Sequence, residues 1–350
     1  GMVQERRITK NGNVFVVLED LTGTARIIVS KRNKELFDKA ENLAQDEVIG
    51  IKGRASNQFV FANEIIQTDF YGKEKVCGGE GYALFTSDLH VGSNKFLEKE
   101  FTNFIRWLNL ETNGKHKEIA KKCKYLFIAG DIVDGIGIYP NQEKELIIKD
   151  VREQYNEAAY LLSQIRSDIK IIMIPGNHDA TRQAVPQPVF DERYAFSLYK
   201  IKNVLNLSNP SYINIGSNEN FKGYDILLYH GYSLNYFANN IRSLINRGYK
   251  NPNLLQTYLL KRRHLAPTHG STPYLPLEDD PLLIEKIPDV FVTADLHKLA
   301  VSYSNNVALI ASSCWQNRTS FQIKVGHEPE PCKVPALDLK TNSIKILDFS

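Results

Sequence analysis

Five short segments between residues 88 and 297 end in side chains able to bind metal: Asp88-Leu89-His90, Gly130-Asp131, Gly176-Asn177-His178-Asp179, His230-Gly231 and Asp295-Leu296-His297. Each follows an apolar run of strand character, so all five fall where strands end, which is where α/β sheets gather their functional groups. Asp88 and His90, two residues apart, can turn to one side once strand gives way to loop and offer a cation two ligands. Asp131 can share its carboxylate oxygens between two cations, which stand about 3.5–4 Å apart in two-metal sites. Asn177 adds a carbonyl oxygen and His230 an imidazole for the second cation. Oxygen and nitrogen donors without a thiolate favour Mn²⁺, Fe²⁺ or Zn²⁺ over Ca²⁺. The chemistry such a pair supports is attack of water on a phosphate ester. His178, next to a ligand, suits the general acid that protonates the departing alkoxide. Asp179 either orients the His178 ring or braces the loop by an ordinary hydrogen bond, and both readings stand.

The elements that must position these groups are legible as periodic runs. Strands are predicted at 82–88, 125–131 and 169–175. Between them, Leu97, Phe101, Phe104, Ile105 and Leu108 form one helical stripe, and Leu146, Ile147, Val151, Tyr155, Ala158, Leu162 and Ile165 another. This alternation predicts β-α-β units and a largely parallel sheet. Later strands, at 225–229, 289–293, 307–311 and 344–349, have fewer helices between them and predict a second sheet packed on the first. Ahead of all this, runs at 13–18 and 24–29 form a hairpin around a turn rich in Asp and Gly. A helix-compatible stretch over 31–44 and two strands at 46–53 and 58–66 complete a small all-β barrel of the oligonucleotide/oligosaccharide-binding (OB) type. Glycine-rich residues 71–81 read as a linker, which divides the chain into a barrel (1–70), the linker, and an α/β domain (82–350).

Bulk composition excludes little beyond the extremes. Apolar residues make up 43% of the 350, enough for real cores. The 43 Lys and Arg against 40 Asp and Glu leave only +3, so any surface for nucleic acid must be a local cluster such as Lys261-Arg262-Arg263-His264. Four scattered cysteines form no Cys-x-x-Cys pair, which argues against a zinc knuckle and a disulfide framework and for a reducing cytoplasm. No apolar stretch reaches the roughly 20 residues that span a bilayer, and no signal peptide opens the chain, so no membrane association is expected. Gly1 ahead of Met2 reads as a cloning residue.

The order of the motifs resembles that of the calcineurin-like metallophosphoesterases: Asp-x-His, Gly-Asp, Gly-Asn-His-Asp, His, and a last His-x-His. More closely, the segments 130–140 (Gly-Asp-Ile-Val-Asp-Gly-Ile-Gly-Ile-Tyr-Pro), 175–188 (Pro-Gly-Asn-His-Asp-Ala-Thr-Arg-Gln-Ala-Val-Pro-Gln-Pro) and 261–267 (Lys-Arg-Arg-His-Leu-Ala-Pro) are similar to the small subunits of archaeal family D DNA polymerases. That resemblance implies a phosphoesterase β-sandwich flanked by helices, with the barrel in front. It implies 3′–5′ exonuclease proofreading on single-stranded or mismatched 3′ ends, with a large polymerase subunit as partner. It further implies two divalent ions, Mn²⁺ foremost with Mg²⁺, Fe²⁺ and Zn²⁺ as alternatives, held by Asp88, His90, Asp131, Asn177, His230, Asp295 and His297. At Asp295 the chain departs from the family's histidine, which predicts stronger dependence on Mn²⁺ or Mg²⁺, or lower activity.

Arg182 and Gln183 follow the metal loop closely enough to reach a phosphate, and the resemblance adds Arg262, Arg263 and His264 as phosphate contacts. Tyr232, Tyr236 and Phe237 could stack an unpaired base, although core packing is the commoner use of aromatics so spaced. Two rivals remain: a phosphoesterase for small nucleotides, and a scaffold subunit that has lost the chemistry.

Overall fold

The computed structural model describes residues 1–74, 78–112 and 115–350, so Cys77 and part of the expected linker lie outside the described residues. The first five strands, β1 (Met2–Ile8), β2 (Val14–Asp20), β3 (Gly23–Val29), β4 (Ile49–Ser56) and β5 (Phe59–Gln67), form one sheet in the order β1-β2-β3-β5-β4, with helix α1 (Lys34–Glu41) inserted after β3. A bridge between Met2 and Val48, supported by Val3 N–H donating to the Glu47 carbonyl at 2.9 Å, closes β1 onto the start of β4 and makes the sheet a barrel. Strand β1 escapes sequence reading because its run, Met-Val-Gln-Glu-Arg-Arg-Ile, buries only Val3. Asn33 caps α1 through Leu36 N–H, which trims the expected 31–44 helix at its start.

Two sheets form the rest. Strands β6 (Tyr82–Thr86), β7 (Cys123–Ala129), β8 (Lys170–Ile174) and β9 (Val204–Asn206) run parallel, joined by helices α2 (Glu98–Leu108), α3 (Lys117–Lys121), α4 (Val151–Ser163) and α5 (Glu192–Tyr199). The second sheet has β10 (Ser211–Ile215), β11 (Tyr224–Leu228), β12 (Val290–Thr293), β13 (Ala300–Ser304) and β14 (Val307–Ala311) in the order β10-β11-β12-β14-β13. Helices α6 (Leu234–Asn240) and α7 (Pro252–Arg262) lie between β11 and β12 in the chain. Helix α8 (Ser320–Val325) then leads to β15 (Lys333–Asp338) and β16 (Ile344–Asp348), which return to the first sheet beside β6.

Strand alternation builds three layers of core. On β7, Phe127 and Ala129 join Ile226, Leu228, Val290 and Ile310 between the sheets, while Leu126 and Ile128 turn to α2, α4 and α5. The outer face of the second sheet packs Leu227 and Phe291 against α6 and α7. The molecule is therefore an α/β sandwich flanked by helices and preceded by an all-β barrel. One expected helix is shorter than its apolar stripe: Asp150 accepts hydrogen bonds from Arg152 and Glu153 N–H and starts α4 there, leaving Leu146 and Ile147 in the preceding loop. No helix among the described residues is long and apolar enough to cross a membrane.

The barrel is docked on the sandwich. Glu47 and Arg262, both buried, pair at 3.2 Å, Thr268 Oγ1 donates to the Gln45 carbonyl at 2.9 Å, and Ser243 N–H donates to Asn42 Oδ1 at 2.8 Å.

Candidate metal centre

All five sequence segments sit just beyond the carboxyl ends of parallel strands: β6, β7 and β8 of one sheet, β11 and β12 of the other. Asp88, His90, Asp131, Asp295 and His297 all adopt positive φ, between +50° and +66°. An L-residue pays roughly 1–2 kcal/mol for that conformation, so the surrounding bonds must impose it. Asp88 N–H donates to the Gly130 carbonyl at 2.9 Å, His90 N–H to Asp131 O at 3.1 Å, and Ala294 N–H to His230 O at 2.7 Å, lashing the loops together pairwise. Gly130 and Gly176 are required by close approach: a Cβ would fall 2.4 Å from His230 Nδ1 or 2.1 Å from Asp131 Oδ1, respectively.

The donor atoms form two groups that meet at Asp88 and Asp131. In the first, Nε2 of His90 and Nε2 of His297 are 3.1 Å apart, with Asp88 Oδ1 at 3.3 Å from the latter and Asp131 Oδ2 at 3.8 Å from the former. In the second, His230 Nε2 lies 3.4 Å from the same Asp131 Oδ2, 2.8 Å from Asn177 Oδ1 and 3.8 Å from Asp295 Oδ1. Asp88 Oδ1 is buried without a hydrogen-bond donor, which is costly for a carboxylate oxygen unless a cation meets it. This donor set fits divalent cations.

Electrostatics agree. Burial would raise Asp131, but His230, His178 and His90 around it hold its carboxyl far below the usual range. Burial opposes charge on His230, yet Asp131, then Asp88 and Asp295, outweigh it and push the imidazole up to about 10. Burial lifts Asp295 to about 6. Such a concentration of negative field, away from solvent, is the environment a bound cation neutralises.

The neighbouring shell contains residues that motif spacing did not reveal. Asp134, fully buried, places Oδ1 at 3.1 Å from His90 Nδ1, while its backbone carbonyl sits 2.7 Å from Nδ1 of His178. Gln142 and Gln316 donate to its two carboxylate oxygens at 2.8 and 2.9 Å. Its only sequence signal is its place three residues after Asp131. His230 Nδ1 meets the Ala129 carbonyl at 2.7 Å, which aims Nε2 into the site. Asn235 donates to Asp295 Oδ2 at 2.5 Å and Gln322 contacts His297 Nδ1 at 3.1 Å.

Asp179 takes the loop-bracing alternative. Its carboxylate accepts from Gly176 N–H at 2.8 Å, Tyr155 hydroxyl at 3.0 Å and Ile132 N–H at 3.3 Å, and burial pushes it up to about 7. His178 takes its orientation from the Asp134 carbonyl instead. Since a carbonyl only accepts, Nδ1 carries the proton there and Nε2 is left to exchange one.

The expected phosphate-binding residues divide between the metal loop and contacts elsewhere in the fold. Arg182 donates to the Pro186 carbonyl at 2.6 and 2.9 Å, and Gln183 to the Asn177 carbonyl at 2.7 Å, steadying the loop. Arg262 is committed to Glu47, Arg263 Nε donates to the Ile284 carbonyl at 2.7 Å, and His264 pairs with Asp280 at 2.9 Å. Of the three aromatics, Phe237 is core, Tyr236 packs beside that core, and Tyr232 lines a cavity of about 1040 Å³ that opens over Asp131, Asn177 and His178.

Comparison with known proteins places the sequence in a family. The family model for the B-type subunits of DNA polymerases alpha and epsilon matches residues 83–301, and that of an OB-fold nucleic acid binding domain matches residues 1–65. A DNA polymerase II small subunit from Methanothermobacter thermautotrophicus is 42% identical over 354 residues, covering 100% of this chain and 70% of its own length. That of Archaeoglobus fulgidus is 41% identical, covering 95% and 66%, and that of Pyrococcus abyssi 39%, covering 100% and 56%. The chain thus spans little more than half to about seven tenths of these relatives. Among solved structures, an archaeal phosphodiesterase aligns over 76% of this chain and 98% of its own, with 11% identity and a TM-score of 0.38, too distant to weigh.

Proposed function

This chain belongs to the family of DNA polymerase II small subunits, and we propose that it is a metal-dependent phosphodiesterase that removes nucleotides from single-stranded or mismatched 3′ ends of DNA, working in the cytoplasm beside a large subunit that polymerises. The same reading divides it into a barrel (1–70), a connector (71–81) and a phosphoesterase domain (82–350). The observation that carries it is the shared Asp131 Oδ2, within 3.4 Å of His230 Nε2 and 3.8 Å of His90 Nε2.

Asp88, His90, Asp131 and His297 would hold one divalent ion, and Asp131, Asn177, His230 and Asp295 the other, Mn²⁺ first and Mg²⁺, Fe²⁺ or Zn²⁺ as alternatives. When bound, such a pair activates water and withdraws charge from the phosphoryl oxygens. His178, facing the cavity with Nδ1 anchored, donates its Nε2 proton to the leaving O3′, which requires the imidazolium form. Gly176, Gly130 and the buried Asp179 keep the Asn177-His178 loop against Asp131.

Asp295, standing where the related motif carries histidine, favours a second reading: a scaffold subunit with weakened or lost hydrolysis. Phosphoesterase action on small nucleotides is a lesser alternative, against which the barrel speaks. The test is metal content by mass spectrometry and hydrolysis of a 3′-mismatched primer, for the natural chain and for Asp131→Asn. Loss of bound metal and at least about 100-fold loss of hydrolysis, with an unchanged circular dichroism spectrum, is expected. Hydrolysis that survives the substitution sinks the nuclease reading, and metal uptake without hydrolysis in the natural chain replaces it with the scaffold.

A further inference from the structure

We propose that Tyr139 and Phe321 form a stacking wall for the base on the leaving side of the scissile bond, the penultimate nucleotide of the 3′ end. The inference rests on the nuclease reading above. The two rings lie face to face, 5.5 Å apart and 26° from parallel, on the wall of the cavity that opens over the cluster. Tyr139 is the nearer, 6.3 Å from the ring of His178. A histidine that protonates O3′ touches the ribose of the nucleotide that remains on the strand, and a base lies within one sugar's breadth of its own O3′. An aromatic surface beside His178 is therefore at the distance of that base.

The wall is built into the site. The carboxylate of Glu145 accepts the Tyr139 hydroxyl on one oxygen at 3.0 Å and the Ser320 backbone N–H on the other at 3.1 Å, clipping the loop that carries one ring to the helix that carries the other. Helix α8 is capped by Thr319 and Gln322 in a reciprocal box, and Gln322 also reaches Nδ1 of His297. Phe321 thus sits one residue from a side chain that touches a candidate ligand. Despite that anchoring, Phe321 remains 41% exposed and open to a ligand. Base–aromatic stacking tolerates any base, which suits an enzyme that must remove whichever nucleotide was misplaced. Tyr232, one of three aromatics that the sequence offered for stacking, lines the same cavity but on the segment after β11.

The test is a cycle of two changes. Binding of a short fluorescent single strand, with a phosphorothioate at the scissile linkage to suppress cutting, is measured by anisotropy on the Mn²⁺-loaded protein and on Phe321→Ala and Tyr139→Leu. Each is measured with a natural or an abasic penultimate nucleotide. The natural chain is expected to prefer the base by about 5- to 100-fold, and both variants to lose most of that preference. No preference in the natural chain, or a preference that survives in both variants, overturns the wall. So does a Phe321→Ala that leaves DNA binding alone and weakens co-purification with the large subunit, which would make α8 a protein interface. Cleavage of an unmodified strand is scored separately: base preference lost in the variants with no cleavage by the natural chain keeps the wall and removes the nuclease, whereas cleavage with unaltered preference does the reverse.

Discussion

Asp131 Oδ2 stands 3.4 Å from Nε2 of His230 although the two residues follow strands of different sheets, β7 in the six-stranded sheet and β11 in the five-stranded one. The centre therefore straddles the seam of the sandwich. Its geometry depends on the interior layer of Phe127, Ala129, Ile226 and Leu228 as much as on the loops.

Asp134 governs two site histidines by different means, its side chain for His90 and its backbone for His178. Asp134→Asn keeps the carbonyl and removes the charge that holds His90 Nδ1. Metal affinity is expected to fall about 10- to 100-fold, measured by calorimetric titration. A variant with natural affinity would show that His90 is positioned without it.

Arg262 is where the phosphate-contact expectation and the observed contacts diverge. Its pairing with Glu47 is buried, so Arg262→Met leaves a buried carboxylate uncompensated and is expected to cost about 3–5 kcal/mol of stability in denaturant unfolding, relieved in Arg262→Met/Glu47→Gln. DNA affinity at constant salt is expected to change little. The opposite result, weaker DNA binding at unchanged stability, would return Arg262 to a nucleic-acid surface.

Asp225 supplies a pH-dependent contribution away from the metal centre. Burial raises its carboxyl, but Lys286 and Lys73, at 2.7 and 2.8 Å, and Asn214 outweigh that and bring it down to about 2. The folded state therefore releases this proton more readily than the unfolded chain, whose carboxyl titrates near 3.9. The stabilisation is full above about pH 4 and lost as pH falls toward 2. Asp225→Asn should be less stable than the natural chain by about 1–2 kcal/mol at pH 7, discounted because both lysines are half exposed. The gap should close by about pH 2 in urea titrations run across that range. A gap independent of pH would assign the effect to packing.

Asp295→His replaces an oxygen donor with nitrogen beside His230 and removes one of the anions. Preference is expected to shift from Mn²⁺ or Mg²⁺ toward Zn²⁺, by on the order of tenfold in relative affinity, followed by competition titration. Unchanged affinity and turnover would mean that Asp295 does not face the ion.

Much of the centre was legible because a strand followed by Asp, His or Asn is a local pattern, and five such patterns in one chain converge through β-α-β topology. What stayed hidden has no local pattern. Gln142, Gln316 and Gln322 are neutral residues from loops and α8, and only the fold brings them to Asp134 and His297. Helix α7 is buried on most sides, Leu255, Tyr258, Leu259 and Leu260 among them, so it shows little of the one-faced periodicity that marks a surface helix. The cluster at 261–264 reads as a basic surface, yet Arg262 pairs with Glu47 and Arg263 donates to the Ile284 and Glu285 carbonyls, because α7 ends against the barrel and the 284–285 segment.

The left-handed turns at Asp88, His90, Asp131, Asp295 and His297 exist only while their loops hold one another, and the last of these residues emerges from synthesis more than two hundred positions after the first. A ribosome that stalls midway, or a protease that clips the second sheet away, leaves a fragment with an incomplete set of donors. Whatever cation the centre takes, its full set of donors exists only once translation has passed His297.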